Sequence, residues 1–223
     1  NYIKFLNDYL QNILSQPSSR PVPGWILPLW CEVSEIQPGF SDPVVMAQQS
    51  FRALLQAQAK PGTWHSLPRT EKISDLPGTL AAAALTLFDP ETRIWGNFSQ
   101  HALRYLRFHC GCPIATEPSE AEFIVWKAEE GLPPFSEMNS GTVIAPETGA
   151  TLIMSVPQEL EGHAVKLTGP GIQASKRFSP GGVSSIFWDS LMKTRTEALL
   201  GIDVIFCSPS RVAAVPRSTE PCL

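Results

Sequence analysis

The chain has 223 residues, and 43% of them are hydrophobic, which is enough apolar material for a buried core and excludes a globally disordered protein. With 17 Lys and Arg against 21 Asp and Glu, the formal net charge of -4 excludes a general nucleic-acid binder, because that function needs a basic excess. Charged residues make up only 17% of the chain, below the roughly 25% of a typical soluble domain, so we expect partners or a second copy to cover part of the surface.

The longest apolar runs and the cysteines restrict the cellular setting. No apolar run reaches the roughly 18 residues that a membrane helix needs, so no membrane association is expected. The five cysteines are an odd number at scattered spacing, which argues against a disulfide scaffold and favours a reducing cytoplasm. The chain begins at Asn1, which indicates an excised fragment or missing first residues, and no targeting segment is visible.

The N-terminal part is predicted to be an extension. Residues 1–16 carry apolar side chains at i, i+3 and i+4 spacing, which predicts an amphipathic helix. A proline-rich stretch, 17–40, follows and is predicted to be an extended connector, because proline removes backbone donors and stiffens the chain. We therefore divide the chain into an extension, 1–39, and a single domain, 40–223. A helix this short is marginal alone in water, so it is expected to pack on the body or on another chain.

The domain is predicted to open with a helix that starts at Asp42 and Pro43 and stops at Lys60, because Asp caps helices and Pro suits their first position. Apolar spacing and capping residues predict further helices over 80–88, 100–108 and 184–200. Short β-rich runs predict strands at 63–67, 93–95, 121–126, 150–156, 164–168, 202–207 and 212–215. Helices alternate with strands in the first half and strands cluster in the second, which favours an α/β fold with a mixed sheet.

Three short motifs invite a chemical interpretation, but their contexts favour structural ones. GPGIQA at 169–174 fits a dinucleotide fingerprint, yet Pro180 and two glycines interrupt the helix that should follow, so we predict a turn. PGGVSS at 180–185 lacks the P-loop lysine, so we predict a capped helix start rather than a phosphate seat. HCGC at 109–112 spaces its cysteines by one residue and lacks a second pair, so we predict no metal site.

Two regions could hold functional side chains. In the loop 139–151, Glu147 is the single acid among small polar residues, and it is either a turn acid or a carboxylate that orients neighbouring groups. Arg52 lies just off the core stripe of the first domain helix, and Arg217 follows the last predicted strand. Arginines beside ordered turns can bind phosphate or phosphonate bidentately, although most form only surface pairs. No nucleophile motif is present, so no catalytic residue is predicted.

Five segments, in chain order, carry a family resemblance. They are FRALL at 51–55 with PG at 61–62, FHCGCP at 108–113, GTVIAPETGATL at 141–152, LTGPGI at 167–172, and LGID at 200–203 with VPRST at 215–219. They resemble the opening helix and the F-H-x-x-x-P, G-T-x-x-x-P-E-x-G-A-T-L, L-x-G-x-G-I, and L-G-I-D plus I-P-R-T-T motifs of the PhnH family, a subunit of the carbon–phosphorus lyase system of phosphonate metabolism. The resemblance covers residues 40–221, and its most specific block is 141–152. Cys110 and Cys112 depart from the family's usual residues.

The resemblance implies a three-layer α/β/α fold with a mixed sheet, similar to a reduced pyridoxal-phosphate transferase that lacks the cofactor lysine. It implies a cytoplasmic homodimer without a cofactor that joins the other carbon–phosphorus lyase subunits. That assembly is linked to a step in which a phosphonate displaces adenine from ATP, giving ribose 1-phosphonate 5-triphosphate. The chain is then expected to be a non-catalytic or accessory subunit that meets ATP or a phosphonate through the complex.

The candidate ligand or interface residues are Arg52, His109, Thr142, Glu147, Asp203 and Arg217. A rival hypothesis is a stand-alone enzyme or binding protein in which the two arginines, the histidine and the glutamate form a phosphate or phosphonate pocket. A third hypothesis is a binding module that docks through the predicted helix 1–16.

Overall fold

The computed structural model describes residues 36–71, 73, 76–195 and 200–222. The predicted helix 1–16 and the connector as far as residue 35 lie outside the described residues. The described part forms four α-helices, α1 (Pro43–Ala59), α2 (Gly78–Leu87), α3 (Gln100–Cys110) and α4 (Ser185–Lys193). It also forms nine strands, β1 (His65–Ser66), β2 (Ile94–Gly96), β3 (Phe123–Lys127), β4 (Thr151–Ser155), β5 (Val165–Thr168), β6 (Lys176–Phe178), β7 (Asp203–Cys207), β8 (Arg211–Val215) and β9 (Glu220–Cys222).

The main sheet has six strands in the order β1-β8-β7-β4-β3-β2. Its four strands β2, β3, β4 and β7 are parallel, whereas β8 pairs antiparallel with β7 and β1 pairs antiparallel with β8. The predicted mixed sheet in an α/β fold is therefore confirmed. A second, antiparallel sheet has the order β6-β5-β9.

Side-chain alternation along the central strands separates two buried faces of the main sheet. On one face, Met154 and Phe206 belong to a core cluster that includes Trp188 of α4 and residues of β5 and β6. The alternate residues of the same strands, such as Ile153 and Ile205, are also buried but point to the opposite face. There α1 packs against β8 and α2, and α2 contacts β4. Residues Ala81, Ala82, Ala83 and Ala84 of α2 are fully buried, as expected for a helix covered on all sides.

Two of the short motifs have the predicted structural roles, and the third ends a helix. The segment 169–174 is a turn, closed by Ile172 N donating to Gly169 O at 3.2 Å, and it leads into β6 rather than a helix. Ser184 caps α4, since its Oγ accepts from Phe187 N at 3.4 Å. In the HCGC run, Gly111 has φ 69° and ends α3, so glycine is needed there for its backbone conformation.

Several boundaries differ from the sequence prediction. The helix predicted over 184–200 ends at Lys193, where Thr194 Oγ1 donates to Leu191 O at 2.7 Å and the chain turns away; residues 196–199 lie outside the described part. Helix α2 begins at Gly78, two residues earlier than predicted, because Pro77 and Gly78 are tolerated at a helix start. Strands β6 and β9 were not predicted, since three residues each are too few to show an alternating pattern.

Candidate functional site

The parallel strands define two edges of the main sheet, and the candidate residues fall mainly at one of them. We call the side where β4 and β7 begin the amino edge, since Thr151 and Asp203 pair there. The side where β4 and β7 end, at Ser155 and Cys207, is the carboxyl edge. In open α/β sheets, ligands bind in the crevice outside the carboxyl ends of the strands.

Asp203 and Arg217 form an ion pair at the amino edge. The guanidinium donates to Asp203 Oδ2 from Nη2 at 2.5 Å and from Nε at 3.0 Å. The backbone N–H of Arg217 donates to the other carboxylate oxygen, Oδ1, at 2.6 Å. Both side chains are mostly buried, with relative exposures of 15% and 19% for arginine and aspartate. The pair therefore fixes the second residue after β8 against the first residue of β7.

The same guanidinium holds the loop that precedes β4. Arg217 Nη2 donates to Gly149 O at 3.2 Å, and Nη1 donates to Pro146 O. A Cβ at Gly149 would lie 2.5 Å from Arg217 Nη1 and 3.1 Å from Gly201 O, so only glycine allows this approach. The PETG part of the family motif and the arginine of VPRST are therefore two halves of one structural contact.

The loop 139–149 is also held by its own side chains. Asn139 accepts from Gly141 N at 2.9 Å and donates to Thr148 O at 2.9 Å. Thr142 Oγ1 accepts from Ala145 N at 3.1 Å, which makes Thr142 a turn-forming residue. The polar character of the motif thus stabilises a rigid turn.

The tip of this loop points outward. Ile144 is 97% exposed and Val143 is 72% exposed. Glu147 is exposed and makes no side-chain hydrogen bond or ion pair to any residue that the structure describes. A rigid base therefore presents two aliphatic side chains and one acid to the exterior.

Arg195 is a further arginine of this edge that the sequence reasoning missed. Its Nη2 donates to Pro216 O at 3.1 Å and its Nη1 donates to Thr219 O. Burial, with a smaller contribution from the charge of Arg217, lowers the pKa of Arg195 to about 10, and the charges of Asp203 and Glu220 partly oppose this shift. The sequence analysis placed Arg195 inside a helix predicted over 184–200. It therefore gave no reason to expect that Arg195 bonds the C-terminal segment.

Arg52 and His109 lie away from this ion pair, on α1 and α3. Arg52 is exposed and makes no hydrogen bond or ion pair within the described part of the chain. His109 Nε2 lies 3.0 Å from Gln37 O, and its ring centroid lies 4.4 Å from that of Tyr105. The structure thus brings the 142–147 loop, Asp203 and Arg217 together but leaves the other two candidates on separate helices. The assignment of all six to ligand or interface contacts stays a prediction.

The carboxyl edge contains a cavity of about 690 Å³ that no sequence motif indicated. Its polar lining includes Arg69, Glu71, Glu129, Ser155 and Ser208. These residues come from separate segments without characteristic spacing, so no pattern search would have joined them. The one available signal is that Ser208 directly follows a predicted strand and Ser155 lies near the end of another, where ligand sites concentrate.

Metal-binding clusters and membrane-spanning helices are both absent from the described ranges. Within residues 36–71, 73, 76–195 and 200–222, no group of three His, Cys, Asp or Glu side chains is arranged to hold a metal ion. None of the helices in those ranges combines the length and the apolar character that a membrane span requires.

Comparison with known proteins gives one family and two relatives. The model of the family described as bacterial phosphonate metabolism protein (PhnH) matches residues 38–221. The alpha-D-ribose 1-methylphosphonate 5-triphosphate synthase subunit PhnH of Rhizobium meliloti (strain 1021) is 29% identical over 195 residues, which cover 84% of this chain and 96% of the relative. The putative C-P lyase subunit protein HtxG of Stutzerimonas stutzeri is 30% identical over 175 residues, which cover 78% of this chain and 84% of the relative.

Proposed function

Because the chain belongs to the PhnH family of bacterial phosphonate metabolism proteins, we propose that it is an accessory, non-catalytic subunit of a carbon–phosphorus lyase complex. The observation that carries this proposal is the family match over residues 38–221, which spans nearly all of the described domain. The two relatives are named as subunits, one of a ribose 1-methylphosphonate 5-triphosphate synthase and one of a C-P lyase. The complex would accordingly form ribose 1-phosphonate 5-triphosphate from ATP and a phosphonate.

The amino edge supports an accessory role, because its polar groups are already bound within the chain. Arg217 directs its guanidinium to Asp203 and to the carbonyls of Pro146 and Gly149. An arginine whose donors are occupied in this way is poorly suited to capture a phosphonate. We infer that the family motif maintains a rigid loop for contact with another subunit.

The loop tip has the chemistry of a protein contact. Val143 and Ile144 are adjacent, strongly exposed and aliphatic, and Glu147 adds one charge beside them. Such side chains gain free energy when a partner removes them from water, and a pre-ordered loop loses little conformational entropy on binding. We propose that this tip contacts a sister subunit of the complex.

A second apolar surface supports the proposed homodimer. Val44, Phe51 and Leu55 are exposed on α1, and their spacing of seven and four residues places them on one helix face. We propose that this face meets its copy in a cytoplasmic dimer. We also propose that the helices and the second sheet form layers on the main sheet as in a reduced pyridoxal-phosphate transferase, without the cofactor.

Native mass spectrometry tests the subunit role. The chain should be a dimer alone and should enter a stable larger complex when it is co-expressed with the sister lyase subunits. A chain that ignores those subunits would overturn the proposal.

A variant separates the loop tip from the rest of the surface. Ile144→Asp should abolish entry into the complex while the dimer and the melting temperature stay unchanged. Leu160→Asp is the matched control, because Leu160 is exposed in a different loop. If Ile144→Asp assembles as well as the control, the loop is not the contact surface.

A further inference from the structure

The cavity at the carboxyl edge lies where three neighbouring parallel strands end. Ser155 is the last residue of β4, Ser208 follows β7, and Glu129 lies in the short helical turn after β3. Residues from all three strand ends and from the start of α2 line the same space. Its volume of about 690 Å³ is within the range of about 300–1,000 Å³ that is usual for small-molecule sites.

Ser155 is the first indication of a ligand. The residue is only 7% exposed, and its hydroxyl makes no hydrogen bond to any residue in the described ranges. Its Oγ is not one of the fully enclosed polar atoms that lack a partner, so the hydroxyl opens onto the space of the cavity and is available to a ligand there. Its position in the cavity wall directs that unmet hydrogen-bonding capacity to whatever occupies the cavity.

The N-terminus of α2 is the second indication. Pro77 occupies the N-cap position and supplies no side-chain cap, and the first intrahelical bond runs from Ala81 N to Pro77 O at 2.9 Å. The N–H groups of residues 78–80 are therefore donors without an acceptor in the described part of the chain. Free N–H groups at a helix start, together with the helix dipole, favour an anion. Thr79 Oγ1 donates to Ser208 O at 2.6 Å and fixes this helix end to the carboxyl edge.

Arg69 adds a permanent positive charge near the N-terminus of α2. A Cβ at Gly78 would lie 3.3 Å from Arg69 Cβ and 2.3 Å from Thr70 O, so glycine lets the 69–70 segment approach the helix start closely. Arg69 is a lining residue of the cavity, it is exposed, and it forms no ion pair with a described residue. A free guanidinium, free helix N–H groups and a free hydroxyl together suit a tetrahedral oxyanion.

Two carboxylates define the rest of the ligand. Glu71 and Glu129 also line the cavity, both are exposed, and neither forms an ion pair within the described residues. They would repel a bare phosphate, but they would attract a cationic group attached to it. The charge pattern therefore fits a molecule that is anionic at one end and cationic at the other.

We propose that this cavity binds a small zwitterion whose phosphate or phosphonate group lies against the α2 N-terminus, Arg69 and Ser155. Its ammonium group then lies between Glu71 and Glu129. The site is separate from the amino edge and from the Asp203–Arg217 ion pair. It gives the accessory subunit a ligand of its own, and it can be tested on the isolated chain.

Calorimetric titration of the full chain with phosphoethanolamine and with inorganic phosphate tests the site. We expect phosphoethanolamine to bind about tenfold more tightly than inorganic phosphate, the factor that corresponds to about 1.4 kcal/mol. Ser155→Ala and Arg69→Gln should each weaken both ligands about tenfold, since each removes one hydrogen bond to a charged group. The matched controls Ser66→Ala and Arg52→Gln remove an exposed serine and an exposed arginine outside the cavity and should change neither affinity.

The carboxylates give a second, independent readout. The double variant Glu71→Gln, Glu129→Gln should weaken phosphoethanolamine and tighten inorganic phosphate, because it removes both the attraction and the repulsion. Equal effects on the two ligands would contradict the zwitterion assignment. The absence of saturable binding by either ligand, or unchanged binding to Ser155→Ala, would overturn the site itself. Since only the isolated chain is used, neither result bears on entry into the lyase complex.

Discussion

The polar groups at the two edges of the main sheet differ in whether they have partners within the chain. At the amino edge, Arg217 is enclosed by a carboxylate and two carbonyls that belong to the same chain. At the carboxyl edge, Arg69 forms no ion pair with a described residue, and the Ser155 hydroxyl and the first N–H groups of α2 have no described hydrogen-bond partner. The comparison shows that membership of a recognisable motif does not make an arginine available to a ligand: Arg217 is occupied within the chain, whereas Arg69, outside any motif, has no ion-pair partner among the described residues.

The largest expected effect comes from breaking the amino-edge ion pair. Arg217→Ala removes the guanidinium donors from Asp203 Oδ2 and from the carbonyls of Pro146 and Gly149, while the backbone N–H of residue 217 still reaches Asp203 Oδ1. This should cost about 2–4 kcal/mol, since breaking buried pairs costs about 3–5 and this pair is partly exposed. Urea denaturation measures the loss. Arg52→Ala, an exposed arginine, should stay within about 0.5 kcal/mol of the wild type. If Arg217→Ala lost no more stability than Arg52→Ala, the ion pair between Arg217 and Asp203 would have no structural role.

The next effect tests why glycine stands in the PETG loop. Gly149→Ala places a Cβ 2.5 Å from Arg217 Nη1 and should destabilise the domain by about 1–3 kcal/mol through overpacking. In the Arg217→Ala background much of that penalty should vanish, because the clashing atom is gone. A double-mutant cycle measures this coupling. Additive losses would mean that the two residues act independently.

A smaller contrast distinguishes a satisfied hydroxyl from an unsatisfied one near the carboxyl edge. Thr79→Val removes the donor to Ser208 O and should cost about 1–3 kcal/mol, because a buried carbonyl loses its partner. Ser155→Ala removes a hydroxyl without a described partner and should leave the stability unchanged or raise it. Thermal unfolding of both variants without added ligand gives the comparison. A comparable loss in Ser155→Ala would show that its hydroxyl has an internal partner.

The smallest expected effect is a pH dependence at β1. Burial, followed by the charges of Lys60 and Lys176, lowers the pKa of His65. The unfolded chain therefore takes up the proton first as the pH falls through about 6.5, and stability decreases between that pH and the lowered folded-state pKa. In His65→Gln, the melting temperature should depend less on pH between neutral and mildly acidic conditions than it does in the wild type. His163→Gln, at an exposed loop histidine, is the control and should keep the wild-type profile.

The sequence predicted the elements that have long periodic or clearly capped patterns. Asp42 predicted the start of α1, and its Oδ1 does accept from Val45 N at 3.1 Å. The central strands β3, β4 and β7 were found because their apolar runs are long enough to be distinctive. The predicted end of α4 was wrong, because Thr194 turns the chain through a local hydrogen bond that periodicity does not reveal.

The candidate site was predicted only where a motif joined its parts. The family motifs brought Asp203, Arg217 and the 142–147 loop into one list, and the structure places them at one edge. They did not indicate that the guanidinium is occupied, since that depends on the close approach that Gly149 permits. The carboxyl-edge cavity was missed because its lining converges from separate segments only after folding.

Hydrogen exchange read by mass spectrometry tests the difference between the two edges most directly. The chain would be measured alone, with phosphoethanolamine, and with the sister lyase subunits. We predict that phosphoethanolamine protects the first amides of α2, residues 78–80, and leaves the 139–149 loop unchanged, whereas the sister subunits protect the loop and leave those amides unchanged. Protection of the loop by phosphoethanolamine, or of the α2 start by the subunits alone, would contradict the account.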